Sequence, residues 1–143
     1  MVISQREVHW VDFGTPKGSE PGYRRPCVIL QNDAFNASRI STVAVVPITS
    51  NIRLGQAFGN VTLRKGEASL SKRCVVNISQ IATVDRSMLD GRIGILSRAR
   101  FNEVLQGVYA GVQSVCDGLG SDTVNGADHA VSVCLVRDGS ELL

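Results

Sequence analysis

STVAVVPIT, Ser41–Thr49, is the stretch that decides the fold. It is rich in valine and isoleucine, which suit a pleated surface, and it has the length of one strand. Pro47 interrupts it. Proline cannot donate to a ladder, so this segment is expected at a sheet edge or at a bulge. Similar shorter runs lie on both sides. Val8–Phe13 alternates, with Val8, Trp10 and Asp12 against His9, Val11 and Phe13. Pro26–Gln31 is a near-continuous apolar run, closed by Gln31-Asn32-Asp33. Asn60–Leu63, Cys74–Asn77, Gln80–Val84 and Ile93–Leu96 read as further short strands. Loops at Gly14–Gly22 and Asn51–Gly59, and a turn of helix at Ala34–Ser38, separate them.

Beyond Ser97 the period changes. Phe101, Val104, Leu105, Val108, Val112 and Val115 recur at helical spacing. Ser97 suits the N-cap and Gly118 the stop. Strands followed by one amphipathic helix predict a mainly β fold, a small, strongly bent antiparallel sheet or barrel with the helix packed on it. After the helix the composition shifts. Gly118–Asp128 is small and polar, Ala130–Val136 is apolar, and Arg137–Leu143 is polar again before two leucines. The expected organisation is one core domain over 1–117 and a C-terminal extension of unknown role over 118–143.

A chain of 143 residues is the size of one ordinary domain. It is 43% hydrophobic and 20% charged, with a formal net charge of +2, which describes a folded globular protein. So small a charge does not select a nucleic-acid partner, and any basic patch must be local. No apolar run reaches the ~18 residues of a membrane span. The N-terminal MVISQREVHW lacks the pattern of a signal peptide, so a cytoplasmic protein with no membrane partner is expected. Cys27, Cys74, Cys116 and Cys134 have neither zinc-site nor redox-pair spacing and read as reduced, mostly buried side chains. His9 and His129 are far apart in sequence, and His9 reads as a structural strand residue. There is no H-E-x-x-H, Walker loop or G-x-G-x-x-G, so neither metal nor cofactor is expected.

Two places could carry chemistry. In GSEPGYRRPCVIL, Gly18–Leu30, Pro26 holds Arg25 in extended backbone at the mouth of an apolar strand. Arg24 and Arg25 point opposite ways if the segment is extended, so only one of them enters a given pocket readily. A solvated pair at a strand start fits the same pattern. Thr49 ends its strand just before Ser50 and Asn51. Its hydroxyl is placed to donate to an anion or simply to satisfy a turn.

The segments EVHWVDFGTPKGSEPGYRRPCVILQND, TVAVVPITSN and VVNISQIATVD, in that order, resemble the MazF/PemK (Kid-like) toxins of bacterial toxin–antitoxin pairs. The resemblance runs from about residue 6 to residue 116. It implies an SH3-like small twisted barrel with a C-terminal helix, of the CcdB/Kid/MazF type, working as a homodimer. It implies a sequence-specific endoribonuclease toxin that cuts single-stranded RNA without a metal. The expected inhibitor is a cognate antitoxin that binds through a disordered C-terminal segment, with DNA met only indirectly through that antitoxin. Carried over by position, the catalytic arginine falls on Arg25, the catalytic threonine on Thr49 and the loop glutamate on Glu20. Ser19 and Gln80 fall on the substrate-binding side; Asn51 is placed there too, and Arg24 is expected to be a peripheral neighbour that meets the RNA backbone.

Cutting RNA in this way makes its own 2′-hydroxyl the nucleophile and yields a 2′,3′-cyclic phosphate and a 5′-hydroxyl. It needs a base, an acid and donors to the phosphoryl group. A planar guanidinium suits the last role. A guanidinium stays protonated at neutral pH and is a poor base, so Glu20 is the better base candidate. Two alternatives share the fold: a gyrase-poisoning toxin and a non-catalytic binding module. Arg25 and Thr49 are what separate the nuclease from the gyrase poison.

Overall fold

The computed structural model describes residues 2–19 and 21–112. Among these residues there are seven strands: β1 (Glu7–Asp12), β2 (Arg24–Ile29), β3 (Thr42–Thr49), β4 (Val61–Leu63), β5 (Cys74–Val76), β6 (Ala82–Asp85) and β7 (Leu89–Ile95). A one-turn helix α1 (Asp33–Asn36) follows β2, and α2 (Arg98–Val112) closes the described chain. Short 3₁₀ turns occupy Ile52–Gln56, Glu67–Ser69, Ile78–Gln80 and Arg86–Met88. The sheet order is β4-β5-β3-β2-β1-β7, with β6 also paired to β3, and every pairing is antiparallel. The outer strands β4 and β7 are not hydrogen-bonded to each other, so the sheet is a twisted barrel left open along one seam. Packing bridges the seam. A Cβ at Gly94 of β7 would clash with the Ala68 carbonyl, in the segment that follows β4.

β3 is the centre of this sheet, which corrects the expectation of an edge or a bulge at Pro47. Its flank away from β2 pairs with β6 over Thr42–Val45 and with β5 over Ile48–Thr49. Pro47 lies between the two partners, at a point where no ladder bond on that flank needs its missing N–H. Its carbonyl accepts from the Asn77 N–H at 2.9 Å. The near-continuous apolar run has a matching cause, because both faces of β3 are buried. Val43 and Val45 enter one cluster with Val11, Cys27 and Ile29. Val46 and Ile48 enter the other with Val8, Val28, Phe101 and Val104. Each fully buried valine contributes about 1.5–3 kcal/mol.

The helix is placed as its stripe predicts. Phe101 and Val104 are buried, and Ser97 caps the first turn by accepting from the Arg100 N–H at 3.2 Å. Gly107 lets the helix backbone approach that of Gly59, where a side chain would clash. The proposed stop at Gly118 and the extension 118–143 lie outside the described residues, as do Cys116, Cys134 and His129. No described helix is long and apolar enough to cross a membrane. Cys27 and Cys74 are buried free thiols. His9 is buried, and its Nε2 donates to Glu7 Oε1 at 3.0 Å.

Two strand limits differ from the sequence reading. β7 starts at Leu89 rather than near Ile93, because Asp90, Gly91 and Arg92 are exposed and show no apolar alternation. β2 starts at Arg24 rather than Pro26, so both arginines belong to the sheet and pair with Asp12 and Val11 of β1.

Candidate active site

An open cleft of about 460 Å³ lies where β2, the end of β3 and the start of β5 meet. One wall is made by Trp10 of β1 and by Tyr23, Arg24 and Arg25 at the start of β2. Thr49 and Ser50 form the floor at the end of β3. The opposite wall is the segment Ser69–Lys72, between β4 and β5. None of the described lining residues is a carboxylate, while three are cations: Arg24, Arg25 and Lys72.

Arg25 is half-buried, and its Nε donates to the Gly22 carbonyl at 3.2 Å. That bond and the strand backbone fix the guanidinium, and among the described residues its two terminal nitrogens make no hydrogen bond. Thr49 is also half-buried, and its Oγ1 accepts from the Asn51 N–H at 3.2 Å. Its hydroxyl proton therefore remains able to donate into the cleft. Tyr23 holds a left-handed backbone, with φ of 60°. Its N–H bonds to the Gly14 carbonyl, which closes the base of the β1–β2 loop.

Arg24 behaves differently from its neighbour. Its Nε donates to Asp90 Oδ2 at 2.8 Å, and its guanidinium lies 4.3 Å from the centre of the Trp10 ring. The charge is thus already partnered and the plane already stacked. Both members of the pair are about half exposed, so the ion pair itself contributes little stability.

Of the residues singled out from the sequence, Arg24, Arg25 and Thr49 meet in the cleft. Ser19, Asn51 and Gln80 are not among its lining residues. Gln80 Nε2 donates to the Ser19 carbonyl at 3.1 Å, tying the long β1–β2 loop to the turn after β5. Asn51 caps the Ile52–Gln56 turn by accepting from the Arg53 N–H at 3.3 Å. Glu20 lies outside the described residues. Sequence reasoning missed Trp10, Tyr23 and the whole opposite wall. Four cations around that wall, Arg64, Lys65, Lys72 and Arg73, were the available signal. Among the described residues no group of three or more histidine, cysteine, aspartate or glutamate side chains is placed to hold a metal ion. Cys74 reaches the cleft, but burial pushes its thiol above the ordinary range, so it is not a ready thiolate.

An open antiparallel barrel with a terminal helix, and a cationic cleft across the ends of its central strands, defines a small β protein built to receive an anion. Residues 4–110 match the family of PemK-like, MazF-like toxins of type II toxin–antitoxin systems, and the chain belongs to that family. It is 41% identical over 108 residues to the endoribonuclease MazF6 of Mycobacterium tuberculosis, covering 76% of this chain and 95% of that one. It is 34% identical over 103 residues to the endoribonuclease MazF of Staphylococcus epidermidis, covering 72% and 85%. Among solved structures, MazF of Deinococcus radiodurans shares the fold with a TM-score of 0.66 at 23% identity, covering 77% of this chain and 96% of that one. A mycobacterial endoribonuclease in complex with its cognate antitoxin superposes with a TM-score of 0.61 at 19% identity, covering 76% and 92%.

Proposed function

We propose that this protein is an endoribonuclease toxin that cuts single-stranded RNA at a short sequence, with the 2′-hydroxyl as nucleophile and no metal in the reaction. The observation that carries the reading is Arg25 and Thr49 facing one cleft whose described lining has cations and no carboxylate. In this reading the terminal nitrogens of Arg25 and the Thr49 hydroxyl donate to the scissile phosphoryl group. They stabilise the charge that builds on its oxygens as the 2′-oxygen attacks. Phosphorus–oxygen bond formation expels the 5′-oxygen, which takes up a proton from water, and leaves a 2′,3′-cyclic phosphate and a 5′-hydroxyl. Glu20 is the proposed base for the 2′ proton.

Ser19 and Gln80 are assigned a supporting role: their mutual hydrogen bond holds the Gly14–Gly22 loop over the substrate. Asn51 acts by shaping the turn next to Thr49. Arg24 is assigned to the wall along which RNA runs. The toxin unit is proposed to be residues 1–117, working as a homodimer in the cytoplasm. Its proposed inhibitor is a cognate antitoxin that engages through a disordered segment and alone makes the link to DNA. The relatives' names and the antitoxin complex of a neighbour support this reading.

The test is incubation of the purified protein with a long single-stranded RNA in EDTA, with the cut ends mapped. Cuts at one short sequence, bearing 5′-hydroxyl ends and lost in Arg25→Ala, are expected. Intact RNA after incubation with freshly prepared wild type would overturn the reading.

A further inference from the structure

The cleft wall opposite Arg25 is a strap, residues 64–73, that is paired in no strand ladder. Five contacts fix it. Leu70 is buried in the core cluster beneath α2. Glu67 Oε1 accepts from Arg100 Nε of α2 at 2.9 Å, and its other oxygen accepts from the Arg64 N–H at 2.7 Å. The Gly66 N–H bonds to the Leu70 carbonyl at 2.8 Å. Ala68 sits on Gly94 of β7 with no room for a side chain between them.

The strap is also strained. Ala68 and Ser69 both hold left-handed backbone, with φ of 52° and 61°. Each such non-glycine residue costs about 1–3 kcal/mol and persists only where its surroundings over-determine it. This strained, tethered backbone carries Lys72 into the cleft that holds Arg25 and Thr49. Among the described residues no carboxylate pairs with Lys72, whereas Arg24 is taken up by Asp90. Arg64, Lys65 and Arg73 are exposed on the same strap but do not line the cleft.

We propose that Lys72 is a phosphate-binding residue of the cleft, gripping the RNA backbone at a phosphate next to the one held by Arg25 and Thr49. The inference rests on the RNA reading above. It adds a second electrostatic anchor, supplied by the strap rather than by the sheet. With one phosphate on each wall, the backbone spans the cleft and its bases are free to turn outward, as single-stranded recognition requires. A lysine serves here because an ammonium meets a phosphate as a point charge and needs no fixed plane.

The test uses the full chain and a fluorescent, fully 2′-O-methylated RNA of mixed sequence, which cannot be cut by 2′-hydroxyl attack. Wild type, Lys72→Gln, Lys72→Arg and Lys65→Gln are titrated at several salt concentrations. Lys72→Gln is expected to weaken binding about tenfold, the scale of a lost charge-assisted contact. Its plot of log affinity against log salt should be shallower by about 0.7, the value for one phosphate contact on a single strand. Lys72→Arg should keep both values near wild type. Lys65→Gln makes the same charge change outside the cleft and should move them far less. With ordinary RNA, Lys72→Gln should raise KM and leave kcat in place.

Equal effects of Lys72→Gln and Lys65→Gln would overturn the proposal in favour of a diffuse field, and an unchanged affinity and slope would overturn it outright. Wild type that binds the methylated RNA but leaves ordinary RNA intact would sink the nuclease reading while the Lys72 contact stands or falls on affinity. Wild type that binds no RNA would sink both.

Discussion

The two walls of the cleft are built by different means. The β2 wall is sheet: Arg25 sits in register opposite Val11, and Pro26 and the buried Cys27–Ile29 run hold the strand that carries it. The strap wall is held by long-range tethers, from Glu67 to Arg100 and from Ala68 to Gly94. A wall made of strand keeps its shape through local bonds repeated along its length. A wall made of tethers keeps its shape only while each distant partner stays in place. A substitution on the β2 wall should therefore act on the chemistry of the residue replaced, and one that cuts a tether of the strap should act on the geometry of everything the strap carries.

The comparison breaks most sharply at Arg25. Arg25→Ala should lower kcat by at least 10²–10³-fold, the usual cost of a lost preorganised donor, while Arg24→Ala should lose less than about tenfold. Rates on the same RNA with both variants check this, and equal losses would mean that the sheet does not separate the two arginines. Next comes Gly94→Ala. The new methyl group must displace the Ala68 carbonyl, so melting should show a loss of about 1–3 kcal/mol, the range for overpacking. Activity should fall through KM as the strap moves away, whereas a variant with altered stability and unaltered KM would show that the strap does not shape the site.

Acid should act on the tethers. Burial raises the Glu67 carboxyl, but hydrogen bonds from Arg100 and the Arg64 N–H outweigh it and hold the group below the ordinary glutamate range. At Glu7 burial likewise raises the carboxyl, and hydrogen bonds from His9, the Ser4 N–H and Arg92 outweigh it and hold the group below the ordinary range. A carboxyl lowered by folding adds stability above its unfolded pKa, near 4.3, and that stability is lost as pH falls through the lower folded value. Melting temperatures of wild type and Glu67→Gln should therefore differ by a constant amount at neutral pH and converge below about pH 4.3. A gap that persists into acid would remove Glu67 as a charged tether. The smallest effect is expected at Asp90→Asn: Arg24 loses an exposed pair worth about 0–1 kcal/mol, and its stack on Trp10 remains. The thermal midpoint should scarcely move.

The legible part of the fold follows the same division. STVAVVPIT announces a strand, and the stripe from Phe101 to Val112 announces α2, because residue preference and side-chain periodicity are local properties. The place of Pro47 was misread for the opposite reason. Whether a missing N–H is tolerated depends on which strand lies beside it, and the handover from β6 to β5 is not local. Arg25 and Thr49 stood out because a proline and a strand end mark them. Trp10, Tyr23 and the strap did not, since nothing near them in sequence says that they face Arg25.

By itself, then, the sequence determined the β-rich order, the helix that follows it and the toxin family, and it singled out Arg25 and Thr49, which line one cleft, all written in local pattern and motif. Tertiary structure alone decided that Arg24 is occupied by Asp90 and Trp10, and that Ser19 and Gln80 bond to each other away from the cleft lining. It also decided that a strained loop far from Arg25 in sequence becomes the other wall of its cleft. The physical reason is that partners such as Glu67 and Arg100, or Ala68 and Gly94, meet only once the sheet has twisted and the helix has docked, and a contact between distant residues leaves no period in the chain.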